Sequence, residues 1–188
     1  MRKLLKAFPI FLFLVLHFVF LLLLFLENRN APRILIFLAG ITVLLGIFYS
    51  KKFKADTSSF KTTDLLLVIF SILGAVTTYW LNSQFQVGAV MAAGLVGFVS
   101  SFVPFLKRRS DLLREFPAAM YCGSFVGMTA PFIANGYLFV CFAGLISGII
   151  LILSKSTLHG FGGKLGTIAF GGVSITVFLL FLMSLLWK

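Results

Sequence analysis

Charge is scarce in this chain, and acidic charge is scarcest. Of 188 residues only 11% are charged and only five are Asp or Glu, whereas 60% are hydrophobic. A soluble domain carries about 25% charged residues and about 45–50% apolar ones, so water is excluded as the solvent for most of the chain. Mean hydropathy is +1.10, in keeping with that reading. There are two histidines and two cysteines, and neither a CxxC pair nor a His-rich pairing. No metal centre, bound cofactor or nucleophile with a base follows from such a set, and an enzyme is not expected. Cys122 and Cys141 lie in apolar runs and read as small packing residues.

Basic charge is the exception to the scarcity. Sixteen Lys and Arg give a net charge of +11. In a soluble protein that excess would suggest nucleic acid as a partner, but here the basic residues are scattered over short segments with no interleaved stacking face. They fit the cytoplasmic loops of a membrane protein, where positive charge sets the orientation.

About 20 apolar residues cross a bilayer core. The apolar runs then give an all-α integral membrane protein with a single polytopic domain, 1–188. Its seven expected transmembrane helices cover about 7–26, 34–50, 65–81, 87–106, 116–134, 136–154 and 165–187. With the N-terminus inside and the C-terminus outside, thirteen of the sixteen basic residues fall on the inner side. Only Arg29, Arg33 and Lys188 remain outside. Tyr79, Trp80, Tyr137 and Trp187 then reach the outer interface, where aromatic rings belong. The segment 116–134 is the weak member, with Pro117, Pro131, two glycines and several hydroxyls. Six spans plus a broken or re-entrant segment is the alternative, but it would move Lys155 and Lys164 outside and weaken the charge bias. The N-terminal MRKLLK resembles a signal-peptide start, but the apolar run after it is long and lacks a cleavage site, so it reads as a retained first helix.

Three outside-to-inside helices share an Ala-Gly-aliphatic string, at Ala39-Gly40, Ala93-Gly94 and Ala143-Gly144. Their spacing suggests a parallel repeat of helical hairpins. Small residues recur at helical spacing on the later helices: Ser71, Gly74 and Thr78; Ala93, Gly97 and Ser101; Gly123 and Gly127; Gly144 and Gly148; Gly163, Thr167, Gly171 and Ser174. In lipid, small residues are what let helices approach one another. Helices three to seven are therefore expected at the core, and the bulky first helix at the periphery.

The polar positions compete with plain packing roles. Tyr121, Ser124 and Met128 share a face of the fifth helix, with Thr129 and Pro131 beside it; they could line a pathway or pack a central helix. Residues 160–167, Gly160-Phe-Gly-Gly163-Lys164-Leu-Gly-Thr167, hold the ingredients of an anion site at a helix N-terminus, although the string departs from the phosphate-loop pattern. Gly163, Lys164, Thr167 and Gly171 extend that candidate set along the seventh helix. His17 is the one ionisable side chain deep in a span, which marks it for proton relay or, more plainly, for a neutral hydrogen bond. Asp64, Asp111, Arg114 and Glu115 gather at the inner surface as candidate loop salt bridges, with 110–116 as a short interfacial helix.

The expected function is a channel or transporter for a small neutral or weakly charged solute in the plasma (inner) membrane. The alternative is a non-transporting subunit that anchors or assembles a larger complex. Expected partners are the lipid bilayer, and a second copy or a larger membrane complex through the first helix, with no nucleic acid.

Overall fold

The computed structural model describes residues 2–50, 62–106, 110–155 and 163–187, and among them the chain is all-α. Seven helices follow one another: α1 Arg2–Glu27, α2 Pro32–Ser50, α3 Leu65–Phe85, α4 Ala89–Ser101, α5 Asp111–Gly127, α6 Tyr137–Leu153 and α7 Lys164–Leu186. A 3₁₀ turn, Thr62–Asp64, leads into α3, and one helical turn, Val103–Leu106, extends α4. Four helical stretches are long and apolar enough to cross a membrane: Ile10–Glu27, Leu65–Phe85, Ala89–Leu106 and Lys164–Leu186. Shorter apolar helices occupy Pro32–Ile47 and Tyr137–Leu153. Exposed faces such as those of Phe37, Val90 and Leu138, each more than two-thirds exposed, are apolar. Together these features point to a membrane protein.

The helix expected over 116–134 is displaced. It begins at Asp111, absorbs the stretch expected as a separate interfacial helix, and stops at Gly127. An acidic first residue favours that start, because the helix N-terminus carries partial positive charge. Pro117 stands inside α5 and leaves the Leu113 carbonyl without its intrahelical donor. Pro131 instead lies in the irregular segment after the helix, where it cannot continue one. There the Thr129 hydroxyl donates to the Val126 carbonyl at 2.6 Å. Gly136, at φ 87°, then turns the chain into α6.

The centre of the fold is α3, flanked by α5 and α6, with α7 behind α6. α3 buries Leu67, Ser71, Gly74, Ala75, Thr78 and Tyr79, a stripe made mostly of small residues. A methyl group added to Gly74 would overlap the Met120 carbonyl oxygen, one on Gly123 that of Ser71, and one on Gly127 that of Ala75. α3 and α5 thus touch backbone to backbone and run in the same direction. Gly148 and Gly144 bring the antiparallel α6 onto Val68, Ser71 and Ile72. Gly172 lies directly on Ser147 of α6. Gly171, on the expected stripe with Gly163 and Thr167, receives Phe13 and Leu16 of α1 and the tip of Ile150 of α6, while Gly172 beside it makes the closer approach to the α6 backbone. Close approach has a cost: the fully buried hydroxyls of Ser71, Thr78 and Ser147 find no partner among the described residues.

The other helices attach more loosely. Only 11% of the apolar window of α1 is buried, as its bulky composition leads one to expect. α4 stands beside α3 and α5 rather than inside the core. The three Ala-Gly pairs also sit in unlike surroundings. A methyl on Gly40 or Gly94 would meet nothing within 4 Å, whereas one on Gly144 would press on Ala75 at 3.1 Å.

The α3–α5 seam can be tested by melting in detergent. Gly123→Ala should destabilise by about 1–3 kcal/mol, as overpacking does. Ser71→Ala, which removes a partnerless hydroxyl from the same seam, should be neutral or stabilising. Gly40→Ala should leave the melting temperature within about 0.5 kcal/mol of wild type. Equal melting of all three variants would refute the close-contact seam.

Candidate functional site

Because α4 stands off, open volume collects on both of its flanks. On one side a cleft of about 400 Å³ lies between Gly94, Gly97 and Phe98 of α4, Pro117, Ala118 and Tyr121 of α5, and Leu165 of α7. On the other, a narrower apolar gap of about 230 Å³ is lined by residues that include Thr77 of α3, Val99 and Ser100 of α4, and Met120 of α5. The two helices meet where the Tyr121 ring lies over Gly97; a methyl there would stand 2.6 Å from Tyr121 Cδ2. Gly97 thus seats an aromatic ring, whose other neighbour is Phe125 at a centroid distance of 4.5 Å. Tyr121 is 38% exposed, so its phenol is partly open to the cleft.

The remaining candidates do not share this volume. Ser124 is fully buried and its hydroxyl donates to the Tyr121 carbonyl at 2.8 Å. Met128 caps the end of α5, and Thr129 and Pro131 lie in the segment beyond it. Thr167 bonds back to the Gly163 carbonyl at 3.2 Å. Lys164 donates to the Ser154 carbonyl at 3.1 Å, where a cation complements the C-terminal end of α6. Gly160, Phe161 and Gly162 of the glycine-rich string lie outside the described residues. His17 sits where α1 meets α2 and α7. Its Nδ1 lies 2.7 Å from the Phe13 carbonyl and 3.2 Å from the Tyr49 hydroxyl, and its ring lies 6.1 Å from that of Phe170.

At the end where α3, α5 and α7 begin and α6 finishes, Asp64 and Glu115 of the expected charge cluster do form salt bridges, with Lys155 as their partner. Lys155, just past α6, reaches Asp64 Oδ1 at 3.1 Å and Glu115 Oε2 at 2.6 Å. One ammonium thus ties the start of α3 to the first turns of α5 and to the end of α6. Asp64 is buried, while Asp111 at the matching place in the similar string before α5 is exposed. Burial disfavours the Lys155 ammonium, but the hydrogen bonds it donates to Glu115 and Asp64, and their charges, outweigh it and raise its pKa above the ordinary 10.5. The placing of these carboxylates and of Lys155 on the same side was the available signal, and it does not pair them. Among the described residues no group of three His, Cys, Asp or Glu could hold a metal.

No protein-family model matches the chain, and neither the curated proteins nor the solved structures give a significant match.

Two outcomes check this geometry. Lys155→Met should destabilise by about 1–3 kcal/mol, since it strips a charge partner from buried Asp64. Glu115→Gln, with its side chain 35% exposed, should cost under about 1 kcal/mol. Because the folded-state pKa of Lys155 is raised, its contribution is complete below pH 10.5 and fades as pH rises through the higher folded value. Melting curves should show an alkaline loss in wild type that is smaller in Lys155→Met. Separately, Cys122 is fully buried with its Sγ 3.7 Å from the Leu165 carbonyl, so a water-soluble maleimide should leave it unmodified in the folded protein; rapid labelling would place an aqueous cavity behind α5.

Proposed function

We propose that the chain is an integral membrane protein of seven crossings that conducts or carries a small neutral or weakly charged solute along the α4–α5 cleft. The observation that carries this reading is the cleft itself, about 400 Å³ with the Tyr121 phenol beside it. The contacts of α3 with α5 and α6, and of α6 with α7, are by contrast closed by glycine. Residues 65–106 and 116–188 contain no Asp or Glu, which argues against strong ion coupling and for a neutral or weakly charged substrate. No enzymatic chemistry is part of this reading.

The seven-crossing topology, with the N-terminus inside and residence in the plasma (inner) membrane, draws on the thirteen-to-three distribution of basic residues. It also draws on the direction of α5, which runs alongside α3 over its length rather than doubling back. At 17 residues, α5 extends about 25 Å, enough to cross with the irregular segment 128–136 completing the span.

Proteoliposomes loaded with small neutral and monovalent solutes test the function. Flux should exceed that of empty liposomes, and Gly94→Trp, which adds bulk where a methyl meets nothing within 4 Å, should reduce it at least tenfold. No flux of any solute would overturn the reading.

A second reading is favoured by the α1–α2 hairpin. It leans on α7 through Phe13, Leu16, His17 and Phe20 and leaves most of its apolar surface exposed. A membrane subunit that assembles a homo-oligomer or a larger complex through its first helix would present such a surface. Purification of the tagged chain with a stoichiometric partner, and without flux, would favour it.

A further inference from the structure

We propose that the α4–α5 cleft seats an acyl chain of an anionic phospholipid whose phosphate rests on Arg114. The inference rests on reading this cleft as the functional site, and makes the lipid a resident that any solute must displace. Its walls are Gly94, Gly97 and Phe98 on one side and Pro117, Ala118 and Tyr121 on the other, with Leu165 at one end. Apart from the phenol of Tyr121, these side chains offer only carbon. Against these side chains a hydrocarbon chain gives up no hydrogen bonds, whereas a polar solute has the Tyr121 phenol as its side-chain partner. The cleft is open laterally: a methyl on Gly94 would meet nothing within 4 Å, and Phe98 is 64% exposed. A chain can enter it sideways from a bilayer.

Arg114 supplies the complementary charge. It stands three, four and seven residues before Pro117, Ala118 and Tyr121, so all four occupy one face of α5. A helical side chain leans toward the helix N-terminus, which carries the Arg114 head away from the cleft and toward the charged end of the bundle. At a rise of about 1.5 Å per residue the offset from Pro117 is about 5 Å, the arrangement of a headgroup contact below a seated chain. Arg114 is exposed, and among the described residues no carboxylate pairs with it. Its neighbour Glu115 is engaged by Lys155 on another face. A guanidinium matches phosphate oxygens with two parallel hydrogen bonds, which an ammonium does not do.

The test is lipid retained by the purified full chain, measured by native mass spectrometry after exchange with equal amounts of phosphatidylglycerol and phosphatidylcholine of the same chains. Wild type should retain the anionic lipid in about tenfold preference, the least expected of one charge-assisted contact. Arg114→Gln should bring the ratio to parity while total lipid persists, and Gly94→Leu should reduce both lipids. Arg33→Gln, an exposed arginine in the first turn of α2, should change nothing. Melting temperatures of the variants near wild type establish that each is folded. Equal retention of the two lipids by wild type, an unaltered preference in Arg114→Gln, or undiminished total lipid in Gly94→Leu overturns the proposal. So does competition by glycerol phosphate alone, which would make Arg114 a phosphate site without a chain. The readout is bound lipid and not flux, so failure here leaves the transport reading standing, and absence of flux leaves this one standing.

Discussion

The close contact of α3 with α5 is the constraint on which the rest of the bundle depends. Apolar bulk gives helices in lipid no reason to prefer each other over acyl chains, so association must come from close packing. Gly74, Gly123 and Gly127 allow this by placing carbonyl oxygens of one helix against α-carbons of the other. Such contacts leave room for weak Cα–H···O interactions and exclude any side chain. The hydroxyls of Ser71, Thr78 and Ser147 pay for this proximity, being buried without partners among the described residues. Serine and threonine serve here as small residues first and as hydrogen-bonding groups second.

The same constraint shapes what lies outside the seam. With α5 and α6 both drawn onto α3 by glycine, α4 meets the core through Gly97 under the Tyr121 ring. An aromatic ring on a glycine holds two helices apart more than a glycine on a carbonyl does. The difference between those two kinds of contact is what leaves open volume on either flank of α4. At the charged end, Lys155 adds a directional tie that packing alone lacks, since its two carboxylates come from the starts of different helices. In an apolar surrounding such a tie selects register, because a one-residue shift would leave Asp64 buried without this partner.

Where seven spans were expected the described residues form seven helices, four of their stretches long and apolar enough to cross a membrane, and the peripheral place of α1 followed from its lack of small residues. The boundaries of α5 did not follow. A hydropathy reading begins where charge ends, at Phe116, but helix formation tolerates Asp111, Arg114 and Glu115 in the first turns and favours the acid at the start. Likewise Pro117 and Pro131 look alike in a string. Only the helix boundary distinguishes a proline inside a helix from one that follows it. Of the candidate pathway residues, Tyr121 lines the cleft, whereas Ser124 turns its hydroxyl to its own helix and Thr129 and Pro131 lie past the end of α5.

By itself the sequence determined the apolar character of the chain, its helical class and the set of small residues available for packing. These are properties of composition and local periodicity, and they can be read within a window of a few turns. Only the tertiary structure decided which glycine faces which helix, so that Gly172 lies on the α6 backbone and Ser147 while Gly171 also receives Phe13 and Leu16 of α1. It alone decided that Asp64 is buried and Asp111 is not, although the two sit in nearly the same local string. The buried carboxylate of Asp64 is met by Lys155, 91 residues away along the chain. A contact between groups so distant in sequence leaves no periodic trace, because it exists only once the helices between them have packed.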